Sequence, residues 1–168
     1  MSSTRTFFLL GFLFSFVLVL VALYMQYVML LEPCPLCILQ RLAVMVASGL
    51  FLVAFLHHPK HTGTKFYGGL IGITALAGAG VSGWHIWLQN LPPEEVPSCG
   101  PGLDFIMGNF PLSEALAMVF SGSGECAEIS WQFLGLSIPA WTLLAFIGML
   151  WLVWLAIAAS SKQHRRLF

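Results

Sequence analysis

Four long apolar runs set the limits on how this chain can fold. Phe7–Leu31 has no charged residue in 25 positions, and Leu36–Leu56 has one charge in 21, Arg41, near its start. Phe66–Leu88 has one ionisable group, His85, near its end, and Ile138–Ala159 has none in 22. The hydrocarbon core of a bilayer is about 30 Å thick, so roughly 20 apolar helical residues cross it. In lipid every backbone N–H and C=O must find its partner within the chain, which favours helices. The sequence therefore predicts an all-α integral membrane protein, a four-transmembrane-helix bundle forming a single membrane domain over residues 1–168. Composition agrees: 58% of residues are hydrophobic and 8% charged, against about a quarter charged in soluble domains. The first run is too long for a signal-peptide core and no small-x-small cleavage site follows it, so it is read as a span.

Charge placement predicts the orientation. Arg5 precedes the first run, Lys60 and Lys65 lie between the second and third, and Lys162, Arg165 and Arg166 follow the fourth. With four crossings these segments share one face, which the positive-inside rule makes cytoplasmic. Both termini and the connection at 57–65 are then expected on the cytoplasmic side. Two loops, about 32–36 and 89–137, are expected outside. The three histidines of the connection, His57, His58 and His61, read best as part of a solvated turn. Within the long loop, 112–120 is apolar apart from Ser113 and Glu114, and it is expected to form a short helix along the membrane surface.

All four cysteines fall on the outward side: Cys34 and Cys37 at the start of the second span, Cys99 and Cys126 in the long loop. Disulfides form and persist outside the cytoplasm. Cys34-Pro-Leu-Cys37 is a Cys-x-x-Cys, a spacing typical of thiol–disulfide oxidoreductases but also used at zinc sites. Zinc needs four convergent ligands, and Cys99 and Cys126 are not a second closely spaced pair, so no metal site is expected. Haem attachment needs His after the second cysteine, where this chain has Ile38. A purely structural bridge between adjacent turns of a lipid-anchored helix has little to stabilise. Cys99 and Cys126 lie among Pro101, Gly102, Gly108, Pro111, Gly122 and Gly124, where a partner protein can reach them.

Pro35 suits the first turn of a helix, which puts Cys37 near a helix N-terminus, where partial positive charge favours thiolate. Arg41 follows four residues later on the same face and is the only basic residue on the outward side. It can support a reactive sulfur, or it can simply reach for the interface. A thiolate at membrane depth is best met by a lipid-soluble oxidant, and quinones are the abundant two-electron acceptors of that kind. Arg41 can also hold charge developing on a quinone oxygen. His85 fits either a hydrogen-bond donor at such a site or an interfacial histidine in an aromatic belt with Trp84 and Trp87. The small residues Gly68, Gly69, Gly72, Ala75, Gly78, Ala79 and Gly80 of the third span read as helix packing. There is no internal repeat, phosphate-binding glycine motif or nucleic-acid signature, so no nucleic-acid partner is expected.

Together these motifs resemble the DsbB family, bacterial inner-membrane proteins that reoxidise the periplasmic oxidant DsbA. The resemblance rests on Met29-Leu-Leu-Glu-Pro-Cys-Pro-Leu-Cys37 leading to Arg41, on His85 with Leu88-Gln89, on Gly124-Glu-Cys-Ala-Glu128, and on Trp131-Gln-Phe-Leu-Gly-Leu136. It implies a catalytic set of Cys34, Cys37, Cys99 and Cys126. In that set Cys99 and Cys126 form the loop disulfide, and Cys99 takes the mixed disulfide with a DsbA-like partner. Cys34 exchanges with the loop pair, and Cys37 faces a ubiquinone or menaquinone, with Arg41 and His85 beside it. The segment between Gln89 and Cys99 departs from the family pattern. Two other readings share some of these features. In a protein like vitamin K epoxide reductase the Cys-x-x-Cys follows the loop pair, whereas here it precedes it. A thiolate metal-binding membrane protein would carry polar groups mid-span, and the first and fourth spans have none.

Overall fold

The computed structural model describes residues 3–92, 94–95, 108, 111, 113–114 and 124–165. Helix α1 is Ser3–Tyr27, α2 is Pro35–His57, α3 is His61–Gln89, and a short α4 covers Gly124–Ala127. Strands β1 (Gln132–Phe133) and β2 (Leu136–Ser137) then precede α5, Ile138–Arg165. α1, α2, α3 and α5 are each long and apolar enough to cross a membrane, as the four apolar runs require. Cys99 lies outside the described residues, as does the expected surface helix over 112–120 apart from Ser113 and Glu114.

The long helices form a ring in which each touches its neighbours: α1 lies against α2 and α5, and α3 against α2 and α5, while α2 and α5 face each other across the diagonal. Phe8, Phe51, Ile71, Phe146 and Met149 fill the centre. The outer faces expose Val17, Leu20, Ile73, Trp151 and Trp154, the inverse of a water-soluble bundle. Lipid is as apolar as leucine, so the helices are held by close packing and not by hydrophobic exclusion. Gly78 receives the Phe146 ring, and Gly68 receives Ile157 and Val153, all from α5. Gly69, Gly72 and Gly80 have nothing within 4 Å of a built Cβ, so only part of the small-residue stripe serves packing.

The helix limits differ from the apolar runs in ways the backbone explains. The first run was expected to continue to Leu31, but α1 stops at Tyr27. Leu30 turns into the left-handed region at φ 54°, and Leu31 N–H closes back on Met25 O. Cys34, restricted by the following proline, is extended at φ −64° and ψ 161°. At the other end the expected 57–65 connection shrinks to 58–60, because α3 begins at His61. Its polar first turn lies beyond the apolar run, yet helix geometry does not depend on hydrophobicity. There His57 Nδ1 pairs with Tyr67 Oη at 2.8 Å and His61 Nδ1 with Ser160 Oγ at 3.3 Å. These histidines therefore tie helix ends together as well as meeting solvent. α5 likewise runs past Ala159 to Arg165.

A small hairpin precedes α5. β1 and β2 pair antiparallel, Gln132 with Ser137 and Phe133 with Leu136. The two turn residues, Leu134 and Gly135, have φ 53° and 78°, as a tight hairpin turn needs. Trp141 of α5 donates its indole N–H to Phe133 O at 3.2 Å, fixing the hairpin over the end of the bundle that carries the cysteines.

Candidate functional site

The site grows from the first turn of α2. Cys34 is the N-cap and Pro35 the first helical residue. Helix N-termini leave backbone N–H groups without partners. Here the N–H of Cys37 donates to Cys34 Sγ at 3.4 Å, so a sulfur does what a serine hydroxyl usually does. The helical turn then sets the two sulfurs 3.1 Å apart. Cys34 is 9% exposed and Cys37 is half-buried.

α3 supplies His85 from its last two turns. The imidazole is 2% exposed and faces the cysteines, so it is no member of a lipid-facing belt. Trp84 and Trp87 instead stack on each other on the outer side, with ring centroids 4.7 Å apart. Gln40, buried one turn after Cys37, donates its amide to His85 Nδ1 at 3.1 Å. That bond leaves the ring proton on Nε2, which stands 3.0 Å from the carbonyl oxygen of Cys126 and 3.7 Å from Cys34 Sγ. One imidazole thus connects the Cys-x-x-Cys, the α4 segment and the interior of α2. Cys126 is fully buried and packs in one cluster with Cys34, Leu36 and Leu88. The fold therefore brings together three of the four cysteines expected to act together.

Arg41 does not hydrogen-bond Cys37. It reaches α1, where its guanidinium donates to the side-chain oxygen of Gln26 and to Ala22 O at 3.1 Å. Its charge acts on the sulfur through space. Beside Cys37 and Arg41 opens a cavity of about 600 Å³ between α1, α2, α5 and the hairpin. Phe14, Leu18, Met25, Val44, Trp141 and Leu144 are among its apolar lining, Cys37, Gln40, Arg41, His85 and Gln26 among its polar points, and Glu32 and Glu128 stand on its wall. Ligand sites for small molecules are mostly apolar, have a few placed polar groups and span about 300–1,000 Å³. The cavity fits a flat apolar ring with polar oxygens. The sulfurs and one His85 ring nitrogen, all within 4.8 Å of one another, form a set able to hold a metal.

Gln40 and Gln26 were not singled out in the sequence, because attention to charge passes over neutral amides. The available signal was their polarity inside otherwise apolar runs, Gln40 three residues after Cys37 and Gln26 near the end of the first.

Comparison with known proteins shows the family. The family model described as "Disulfide bond formation protein DsbB" matches residues 4–156. A disulfide bond formation protein B of Nitrosococcus oceani is 55% identical over 145 residues, 86% of either chain. That of Methylococcus capsulatus is 53% identical over 147 residues, 88% of this chain and 90% of its own. That of Chromohalobacter salexigens is 49% identical over 159 residues, 94% of this chain and 92% of its own. A four-helix membrane bundle with a buried Cys-x-x-Cys, matched over most of its length by such relatives, belongs to the DsbB family of disulfide bond formation proteins.

Proposed function

We propose that this chain oxidises the dithiol of a periplasmic DsbA-like protein and delivers the electrons to a quinone of the bacterial inner membrane. The cysteine end would face the periplasm and both termini the cytoplasm, as the distribution of Lys and Arg favours. The observation that carries the reading is the placing of the Cys37 sulfur, 3.1 Å from Cys34, on the wall of an apolar cavity that also holds Arg41.

Exchange begins when a thiolate of the partner attacks Cys99 of a Cys99–Cys126 disulfide, releasing the Cys126 sulfur. The partner's second thiol then displaces Cys99 and leaves as a disulfide. Cys126, packed against Cys34, attacks Cys34 of a Cys34–Cys37 disulfide and releases Cys37 as thiolate. Cys99 next attacks Cys126, restoring the loop bond and freeing Cys34. In this step the Nε2–H of His85 faces the departing Cys34 sulfur and steadies its negative charge. The outcome is one partner disulfide made and the Cys34–Cys37 pair reduced. Closure of the Cys34–Cys37 bond releases two electrons, which a quinone held in the cavity would take up together with two protons. Arg41 and Cys37 would hold its polar edge, while the apolar wall keeps water from the sulfurs.

The test is turnover of purified protein in lipid nanodiscs with a short-chain ubiquinone and a reduced DsbA-like partner. Quinone absorbance should fall as partner thiols disappear, one quinone per dithiol, and Cys37→Ser should abolish both. Turnover in that variant at the unaltered rate would refute the scheme.

A further inference from the structure

We infer that the reduced form of this site is a binding site for a thiophilic divalent cation of the zinc class, with Cys34, Cys37 and His85 as its protein ligands and water in the fourth tetrahedral position. The sequence offered only two clustered ligands. The fold adds a third from α3, 48 positions after Cys37 in the chain, and the three ligand atoms lie within 4.8 Å of one another. Zinc binds thiolate at about 2.3 Å and imidazole at about 2.0 Å, so tetrahedral neighbours stand roughly 3.5–3.8 Å apart. Cys34 Sγ and His85 Nε2 are already at 3.7 Å. The sulfurs at 3.1 Å need to part by only about 0.7 Å, within reach of a small side-chain rotation.

Charge selects the class of ion. Two thiolates and a neutral imidazole around a divalent cation sum to zero, the form that costs least to bury near lipid. A monovalent ion would leave a net negative charge. Binding releases the two thiol protons and transfers no electrons. His85 must present an Nε2 lone pair, so its proton moves to Nδ1, and the ion takes the place of the Cys126 carbonyl that Nε2 now faces at 3.0 Å. Gln40, now 3.1 Å from Nδ1 through its amide nitrogen, meets that proton with its oxygen after a half-turn of the carboxamide. Imidazole ligands of metals are commonly steadied by such a carbonyl behind the ring. Glu32 and Glu128 on the cavity wall favour the approach of a dication. An ion held here ties up both sulfurs, so it acts as a brake on reoxidation that engages only while the pair is reduced.

Zinc titration of the full chain in detergent, without a histidine tag, against a chromophoric chelator tests this. Phosphine-reduced protein should bind one zinc, and the same protein with Cys34–Cys37 oxidised should bind none at that affinity. This comparison needs no variant, and it separates the site from His57, His58 and His61, which are present in both forms. Cys37→Ser should abolish binding, His85→Ala should weaken it at least tenfold with helicity retained, and Cys99→Ala should leave it unchanged. Absence of zinc from the reduced protein, equal binding by the oxidised protein, or wild-type affinity in His85→Ala would overturn the inference. The readout involves no quinone, so its failure leaves the proposed turnover standing, and zinc-free turnover bears on that alone.

Discussion

Gln40 on α2 fixes the tautomer of His85 on α3. The amide nitrogen of one lies 3.1 Å from Nδ1 of the other, and both side chains are 2% exposed. An amide N–H in that position makes Nδ1 the acceptor and Nε2 the donor, and Nε2 is the nitrogen that faces Cys34. Loss of the amide should therefore slow exchange at Cys34 more than it disturbs the cavity, which Gln40 also borders. Gln40→Leu is expected to lower kcat about tenfold, the effect of one net hydrogen bond, with a smaller change in the KM for quinone. Gln40→Glu should not restore the rate, since a carboxylate only accepts and draws the ring proton to Nδ1, away from the nitrogen that faces Cys34. Rapid-mixing kinetics of thiol exchange checks both, and an unaltered exchange rate in Gln40→Leu would contradict the assignment.

Arg41 should show the opposite split. Arg41→Ala is expected to raise the KM for quinone at least tenfold while the KM for the partner protein stays within twofold, because removing a cation from a partly desolvated site costs about 1.5–3 kcal/mol. Arg41→Lys should rescue poorly, since one ammonium lacks the planar fork that meets Gln26 and Ala22 O together. Steady-state kinetics with each substrate varied in turn decides this. Equal loss toward both substrates would remove Arg41 from the quinone side.

Cys126 can be isolated from the terminal step. In Cys126→Ala, oxidation of the partner protein should be lost, while a small dithiol that reaches Cys34 and Cys37 directly should still reduce added quinone. Loss of both activities in a variant of normal helicity would mean that the loop cysteine does more than relay electrons.

Orientation is open to labelling. Ser113 and Thr62 are both exposed and lie on opposite sides of the proposed membrane. In a cysteine-free background, Ser113→Cys should react with a membrane-impermeant maleimide in cells whose outer membrane alone is opened. Thr62→Cys should react only after the inner membrane is broken. The reverse pattern would turn the protein over and leave the loop pair without a periplasmic partner.

Packing makes a stability prediction. A side chain at Gly78 collides with the Phe146 ring, whereas one at Gly80 meets nothing within 4 Å. Gly78→Val should cost about 1–3 kcal/mol by overpacking, seen as a lower melting temperature in detergent, while Gly80→Ala should be neutral.

The four spans were legible because lipid imposes a coarse rule, a length of apolar residues, and the runs around Phe51, Ile71 and Phe146 obey it. Helix ends were less legible, since the rule reports hydrophobicity and not backbone geometry. Leu30 turns the chain inside an apolar run, and His61 starts a helix in a polar one. The hairpin escaped notice because Leu134 occupies a turn position where asparagine or glycine would have signalled it. Cys34, Cys37 and Arg41 could be grouped by spacing along one helix. That His85 faces inward, that Gln40 stands behind it and that Arg41 turns to α1 depend on contacts between helices, which no local pattern encodes.

Arg41 finds both its acceptors, Gln26 and the carbonyl of Ala22, on the helix that is synthesised before its own. The translation order thus delivers the acceptors before the cation that needs them, and α1 and α2 suit insertion as a hairpin. Were α2 to enter lipid alone, its guanidinium would have to drag water or a headgroup inward, so the first helix acts as an escort as well as a wall.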